Sequence, residues 1–227
     1  MPTRPTLSTA QQLHAAQLAI LNSLGDPEIK ALVAEYGYTT SKLNHGKALY
    51  EAAVAAANAQ KASLGDQKAA TAALRQMEAE ARDAYQALSR VARATLPEPD
   101  LVALGLDGSM PLNVAGFLQA AYTLFDNAGS IGLLAEFGYE ADRLATERVK
   151  IEALAQAEQA QALAKGSKQQ ATQDQAAALA ALNEWMAQYL KIARVALRNK
   201  QQLLEKIGGA ARPRRTTTQR TALKKTV

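Results

Sequence analysis

The sequence predicts an all-α fold: a long antiparallel four-helix bundle built from two tandem helical-hairpin repeats, with short additional helices at the start of each repeat. Three observations predict it. Alanine supplies 50 of the 227 residues while aromatic residues make up only 5%, the bias of long helices whose axes approach closely. Apolar residues recur at heptad spacing along two stretches near the ends of the two halves. Finally, the chain repeats itself with a shift of 101 residues, which carries Glu35-Tyr36-Gly37-Tyr38 and Leu43 onto Glu136-Phe137-Gly138-Tyr139 and Leu144.

The same shift takes Gly65 to Gly166, Ala70-Thr71 to Ala171-Thr172, and the run Arg90 to Leu96 onto Lys191 to Leu197. It divides residues 1–209 into a first repeat of about 8–108 and a second of about 109–209, followed by a basic tail at 210–227. A single helical domain is expected for 1–209. An isolated pair of long helices leaves much of each apolar stripe in water, and two pairs facing each other bury all four.

A first helix is signalled by Ser8 or Thr9 as N-cap with Gln11 or Gln12 three residues on, followed by Leu13, Ala16, Ile20, Leu21 and Leu24 and a stop at Gly25. Its counterpart opens with Pro111 in the first turn and runs from Val114 to Phe125. Asp26-Pro27-Glu28 starts a short helix through Tyr36 that meets Gly37 as a left-handed C-terminal cap. Ile131 to Phe137 and Gly138 repeat that corner.

Helix-forming sequence follows from about 40 to Ser63 and from Glu140 to Lys165, with Gly46 as a weak point. Gly65-Asp66 and Gly166-Ser167 then read as tight hairpin turns, glycine ending one helix and Asp or Ser capping the next. The returning helices carry the heptads: Ala70, Met77, Ala84 and Val91 with Leu74, Ala81, Leu88 and Thr95, matched by Ala171, Ala178, Trp185 and Ile192 with Gln175, Leu182, Tyr189 and Ala196. A repeat of seven favours near-parallel packing with a crossing of about 20°. Pro97-Glu98-Pro99-Asp100 closes the first copy, and 101–108 forms the link.

The absence of cysteine excludes disulfides, thiolate metal sites and thiol nucleophiles. No stretch approaches the roughly 18 apolar residues of a membrane span, and Met1 to Ser8 lacks the apolar segment of a signal peptide, so a cytoplasmic protein is expected. The net charge of +5 is a property of the tail. Arg212, Arg214, Arg215, Arg220, Lys224 and Lys225 lie there without an acid, and the remainder of the chain carries a net charge of −1.

Functional candidates are few. His14 and His45 have no counterpart across the shift, which gives Ala115 and Thr146, and no Glu-x-x-His pair of the di-iron bundle type occurs. No metal or cofactor is therefore expected. The matched acids Glu35/Glu136 and Glu51/Glu152 read as solvated flanks or partners of a nearby cation, and the matched cations Arg90/Lys191 and Arg93/Arg194 as helix-end charges favoured by the dipole. No phosphate-binding glycine loop and no nucleophile with recognisable flanks is present.

Two sites are left. Tyr85, Trp185, Met186 and Tyr189 are candidates to line an apolar pocket between helices. The six tail cations are candidates for contacts to nucleic acid by counterion release, or to an acidic protein, with no aromatic residue among them to stack on bases. Apolar residues on the outer faces would allow a homo-oligomer. The leading expectation is a non-enzymatic helical scaffold or interaction protein with an anion-contacting tail; the alternative is a small-molecule or cofactor-binding bundle with an internal apolar pocket.

Overall fold

The computed structural model describes residues 7–209, and these form eight α-helices with no strand among them. In chain order they are α1 (Thr9–Gly25), α2 (Pro27–Ala34), α3 (Thr40–Thr95), α4 (Glu98–Ala103), α5 (Val114–Ala128), α6 (Leu133–Glu136), α7 (Ala141–Ala196) and α8 (Gln201–Lys206). The fold is all-α.

The helix starts follow the capping chemistry of the sequence. Ser8 closes a capping box on α1: its hydroxyl accepts from the Gln11 amide at 3.3 Å, and the Gln11 side chain accepts from the Ser8 amide at 2.9 Å. Asp26 caps α2 by accepting from the Glu28 and Ile29 amides at 3.0 and 3.2 Å, with Pro27 in the first turn where its missing N–H costs nothing. Asn113 caps α5 through the Gly116 amide at 2.7 Å, so Pro111 precedes the helix and does not lie in its first turn.

The corners are built alike. Gly37 and Gly138 both have φ +83°, and the bonds around them match: Tyr38 N to Val33 O and Tyr139 N to Leu134 O, each 3.0 Å, with the glycine amides bonding Ala34 O and Ala135 O. This 6→1 and 5→2 pair is the Schellman arrangement, which satisfies the last carbonyls of a helix only if the next residue turns left-handed. α4 and α8, two short helices that the sequence pattern did not mark, end the same way at Gly105 (φ +69°) and Gly208 (φ +75°).

The expected hairpin turns at Gly65-Asp66 and Gly166-Ser167 are not formed. α3 and α7 pass through these glycines as uninterrupted helices of 56 residues each, starting 101 residues apart, so two long helices stand where four were expected. The reason lies in the seam. Half-buried positions continue through the glycines at Gln60, Ser63, Gln67 and Ala70 in α3, and at Gln161, Ala164, Lys168 and Ala171 in α7. The three-four spacing keeps its phase, and a single exposed glycine costs a helix only about 1 kcal/mol.

All sixteen heptad positions named above are buried or half-buried. Full burial is concentrated elsewhere along each helix, however: between Ala53 and Ala81 α3 has no fully buried residue, nor has α7 between Leu154 and Leu182.

Two compact units result, and neither follows a boundary near residue 108. One takes the described residues up to Gln60 and from Ala171 onward; the other is Lys61–Gln170. The core of the first is formed by α1, α2, the start of α3, the end of α7 and α8, with Ile20, Ile29, Leu43, Leu182, Tyr189 and Leu197 fully enclosed. Within it α3 and α7 run antiparallel, since Tyr38 meets Tyr189 while Gly46, further along, meets Trp185. The core of the second takes the end of α3, α4, α5, α6 and the start of α7, around Leu88, Leu104, Phe117, Leu124, Ile151 and Leu154. Each such side chain contributes about 1.5–3 kcal/mol by leaving water.

Candidate functional site

In the first unit, heptad spacing sets Trp185 and Tyr189 one turn apart on the inner face of α7, where their rings stack at 5.1 Å and 21°. Tyr38, delivered by the Gly37 corner, closes on both, edge-on to Trp185 at 5.9 Å and tilted against Tyr189 at 5.1 Å. Met186 is buried in the same core. Beneath them Ser23 donates to the Ala19 carbonyl at 2.6 Å and shares a hydrogen bond with the Tyr189 hydroxyl. Burial pushes the Tyr189 phenol up from its usual range, and the Ser23 hydroxyl opposes that shift. The rings occupy the space between the helices with one another.

Tyr85, the fourth candidate for the apolar pocket, belongs to the core of the second unit, edge-on to Phe117 at 5.5 Å. The structure thus brings three of the four together and assigns Tyr85 elsewhere. A stripe of heptad positions places residues on one helix face, and position along the helix decides which core they enter.

Tyr85 does line a cleft in its own unit, a half-open space of about 210 Å3 bounded by Tyr85, Gln86, Ser89, Arg90, Arg93 and Met110. Ser89 is only 8% exposed, and its hydroxyl has no hydrogen-bond partner. Burial raises the Tyr85 pKa, opposed by the neighbouring Ser89 hydroxyl and by the Arg93 charge. Arg90 donates to the Gln86 side chain at 3.3 Å. Arg93 donates through Nη2 to the Leu106 and Gly108 carbonyls at 3.1 and 3.0 Å, so it ties down the link after α4 in addition to sitting in the last turn of α3.

A wider, more open groove of about 530 Å3 in the first unit is bounded by Leu21, Asn22, Gly25, Asp26, Pro27 and Lys206. Its charges are matched. Lys206 reaches Asp26 at 3.1 Å and its carbonyl accepts from Asn22, and the lysine, followed by the Ile29 amide, holds the Asp26 carboxyl below the usual 3.8.

The remaining sequence candidates resolve into structure. Glu51 pairs with Lys47 at 3.5 Å, and Glu152 pairs with Arg148, one turn apart in each case. Arg148 also binds Asp126 at 2.6 Å. His14 and His45 are exposed, and the described residues contain no group of three side chains able to hold a metal ion. No described helix is long and apolar enough to cross a membrane. Arg212, Arg214, Arg215, Arg220, Lys224 and Lys225 lie outside the described residues.

Sequence reasoning missed Gly46 as a packing position, Arg82 and Ser89. Arg82 donates to the Pro111 and Leu112 carbonyls at 3.2 and 2.8 Å and lies over the Phe117 ring at 4.5 Å, fixing the approach to α5. The signal for Ser89 was present: it directly follows the core heptad position Leu88 and sits one turn after Tyr85. Comparison of the chain with protein-family models, with curated proteins and with solved structures found no match.

Proposed function

We propose that this chain is a non-enzymatic helical scaffold or interaction protein whose basic C-terminal tail contacts nucleic acid or another anionic partner. The observation that carries the reading is the continuity of α3 and α7, whose middle thirds extend past any fully buried residue and are spent on alanine, glutamine and lysine. A helix continued beyond what its cores need supports a spacing role. Asp26, Arg82 and Arg93 are engaged in a cap and in loop clamps.

Two tandem repeats related by the 101-residue shift are the accompanying architectural proposal. In support, the long helices are of equal length and begin 101 residues apart, the Gly37 and Gly138 corners share φ and hydrogen bonds, and the shift carries the Lys47–Glu51 pair onto Arg148–Glu152. The alternative, an apolar ligand held between helices, has less support because Trp185, Tyr189 and Tyr38 stack on one another.

The tail is tested by retention on DNA. The full chain should be retained at about 50 mM salt and released by about 200 mM, as counterion release requires, and a chain ending at residue 209 should flow through. Retention unchanged by that deletion would remove the tail from the proposal. Turnover of a metabolite, abolished by one substitution in either core, would remove the scaffold reading.

A further inference from the structure

We infer that the cleft between the end of α3 and Met110 is a binding site for the oxyanion group of a small molecule. It holds two guanidinium groups, Arg90 and Arg93, and neither has a carboxylate partner among the described residues. Of the other arginines that fix structure in this unit, Arg82 and Arg148 are neutralised, by Glu78 and by Asp126 with Glu152, while Arg143 holds the Gly138 carbonyl at 3.0 Å over the Tyr139 ring. Arg93 spends only Nη2 on the Leu106 and Gly108 carbonyls, and a guanidinium has five donors. Arg93 and Arg90 line the same cleft as Tyr85, with Arg90 donating through Nη2 to Gln86 at 3.3 Å.

The floor is polar without structural need. Ser23, the other buried serine, is doubly bonded, and the helical threonines Thr71 and Thr95 donate to the carbonyl four residues back at 2.8 Å. The Ser89 hydroxyl does neither: it is enclosed, makes no close hydrogen bond, and acts on the Tyr85 phenol beside it. It turns about a single bond, so it can donate to an anion seated between the arginines. The 101-residue shift carries Arg90 and Arg93 onto Lys191 and Arg194 but Tyr85 and Ser89 onto Met186 and Leu190. α7 carries apolar residues at the shifted positions, and only the set on α3 combines the cations with two hydroxyl groups. At about 210 Å3 the cleft admits a phosphate or a small aromatic carboxylate, with Met110 supplying an apolar wall.

The test is amide-resolved NMR of the full chain titrated separately with inorganic phosphate and with benzoate. Shifts at Ser89, Arg90 and Arg93 that saturate in the millimolar range with at least one anion are expected, and the anion that saturates at lower concentration names the source. Arg90→Gln and Ser89→Ala should each weaken that binding about tenfold, the scale of one hydrogen bond to a charged group. Arg194→Gln should leave it unchanged. No shift with either anion, shifts confined to residues 210–227, or equal affinity in Arg90→Gln would overturn the site.

Discussion

The Trp185 indole lies directly over the backbone of Gly46: a Cβ built on that glycine would fall 2.3 Å from ring atoms Cη2 and Cζ2. A glycine inside a 56-residue helix is a local cost, and here it provides the slot that lets the largest side chain in the chain cross α3. The 101-residue shift turns this large and small pair into Glu147 and Ala84, again with the larger residue on α7 and the smaller on α3.

Gly46→Ala should therefore destabilise the first unit by about 2 kcal/mol or more, because overpacking against a fixed ring outweighs the gain of up to about 1 kcal/mol in helix propensity. Urea unfolding followed by far-ultraviolet circular dichroism, a probe that does not need the indole, measures it. In a Trp185→Leu background the same substitution should be close to neutral or stabilising, since the contact that opposes it is gone. Equal costs in both backgrounds would show that the ring does not rest on Gly46.

Gly65 and Gly166 should behave in the opposite way. Both lie within helix at ordinary φ, and an added Cβ meets nothing within 4 Å. Alanine at either position is expected to stabilise by about 0.5–1 kcal/mol, whereas Gly37→Ala and Gly138→Ala should cost about 1–2 kcal/mol for holding a side chain left-handed. Thermal unfolding of the four single variants distinguishes these cases. Loss of stability in Gly65→Ala and Gly166→Ala would restore the hairpin turns.

These glycines show what the sequence made legible. The caps at Ser8 and Asp26, the Gly37 and Gly138 corners and the heptad faces are local chemistry, visible in short windows. The fate of Gly65 was also encoded, in a feature the expected turn overlooked. A Schellman corner is frequently completed by an apolar residue after the glycine, as in Gly37-Tyr38, Gly138-Tyr139 and Gly105-Leu106 but not Gly208-Gly209, whereas Asp66 and Ser167 are polar residues that suit the surface. What could not be read locally was register between distant segments. That Trp185 would meet Gly46, that Tyr85 would enter a different core from Tyr189, and that Arg93 would clamp residues 106 and 108 depend on where α3 and α7 lie against their neighbours.

The buried pair Ser23 and Tyr189 gives an asymmetric expectation. Ser23→Ala strands the Tyr189 hydroxyl in the core and should cost about 1–3 kcal/mol, while Tyr189→Phe leaves Ser23 still donating to Ala19 and should cost about 1 kcal/mol or less. The double variant should lose less than the sum of the two. Denaturant midpoints of the four proteins test this, and a larger loss in Tyr189→Phe than in Ser23→Ala would mean that ring packing, not the hydroxyl, responds to the change.

Asp26 sets a pH dependence with a definite sign. Lys206, followed by the Ile29 amide, favours its ionised form in the folded chain, so its folded pKa lies below the ordinary 3.8. A carboxyl with a depressed folded pKa stabilises at pH values above the unfolded value, and the contribution disappears as pH falls through 3.8 and then through the folded pKa. Asp26→Asn keeps a side-chain acceptor for the cap but removes the charge that Lys206 meets. The melting temperature of the parent should exceed that of Asp26→Asn by its full margin at pH 6–7, and the margin should close on acidification below about pH 4, where the carboxyl takes up its proton. Lys206→Met should narrow the margin at neutral pH, because the first cause of the depressed pKa is then absent. A margin that stays constant from pH 7 to pH 3 would show that Asp26 acts through cap geometry alone.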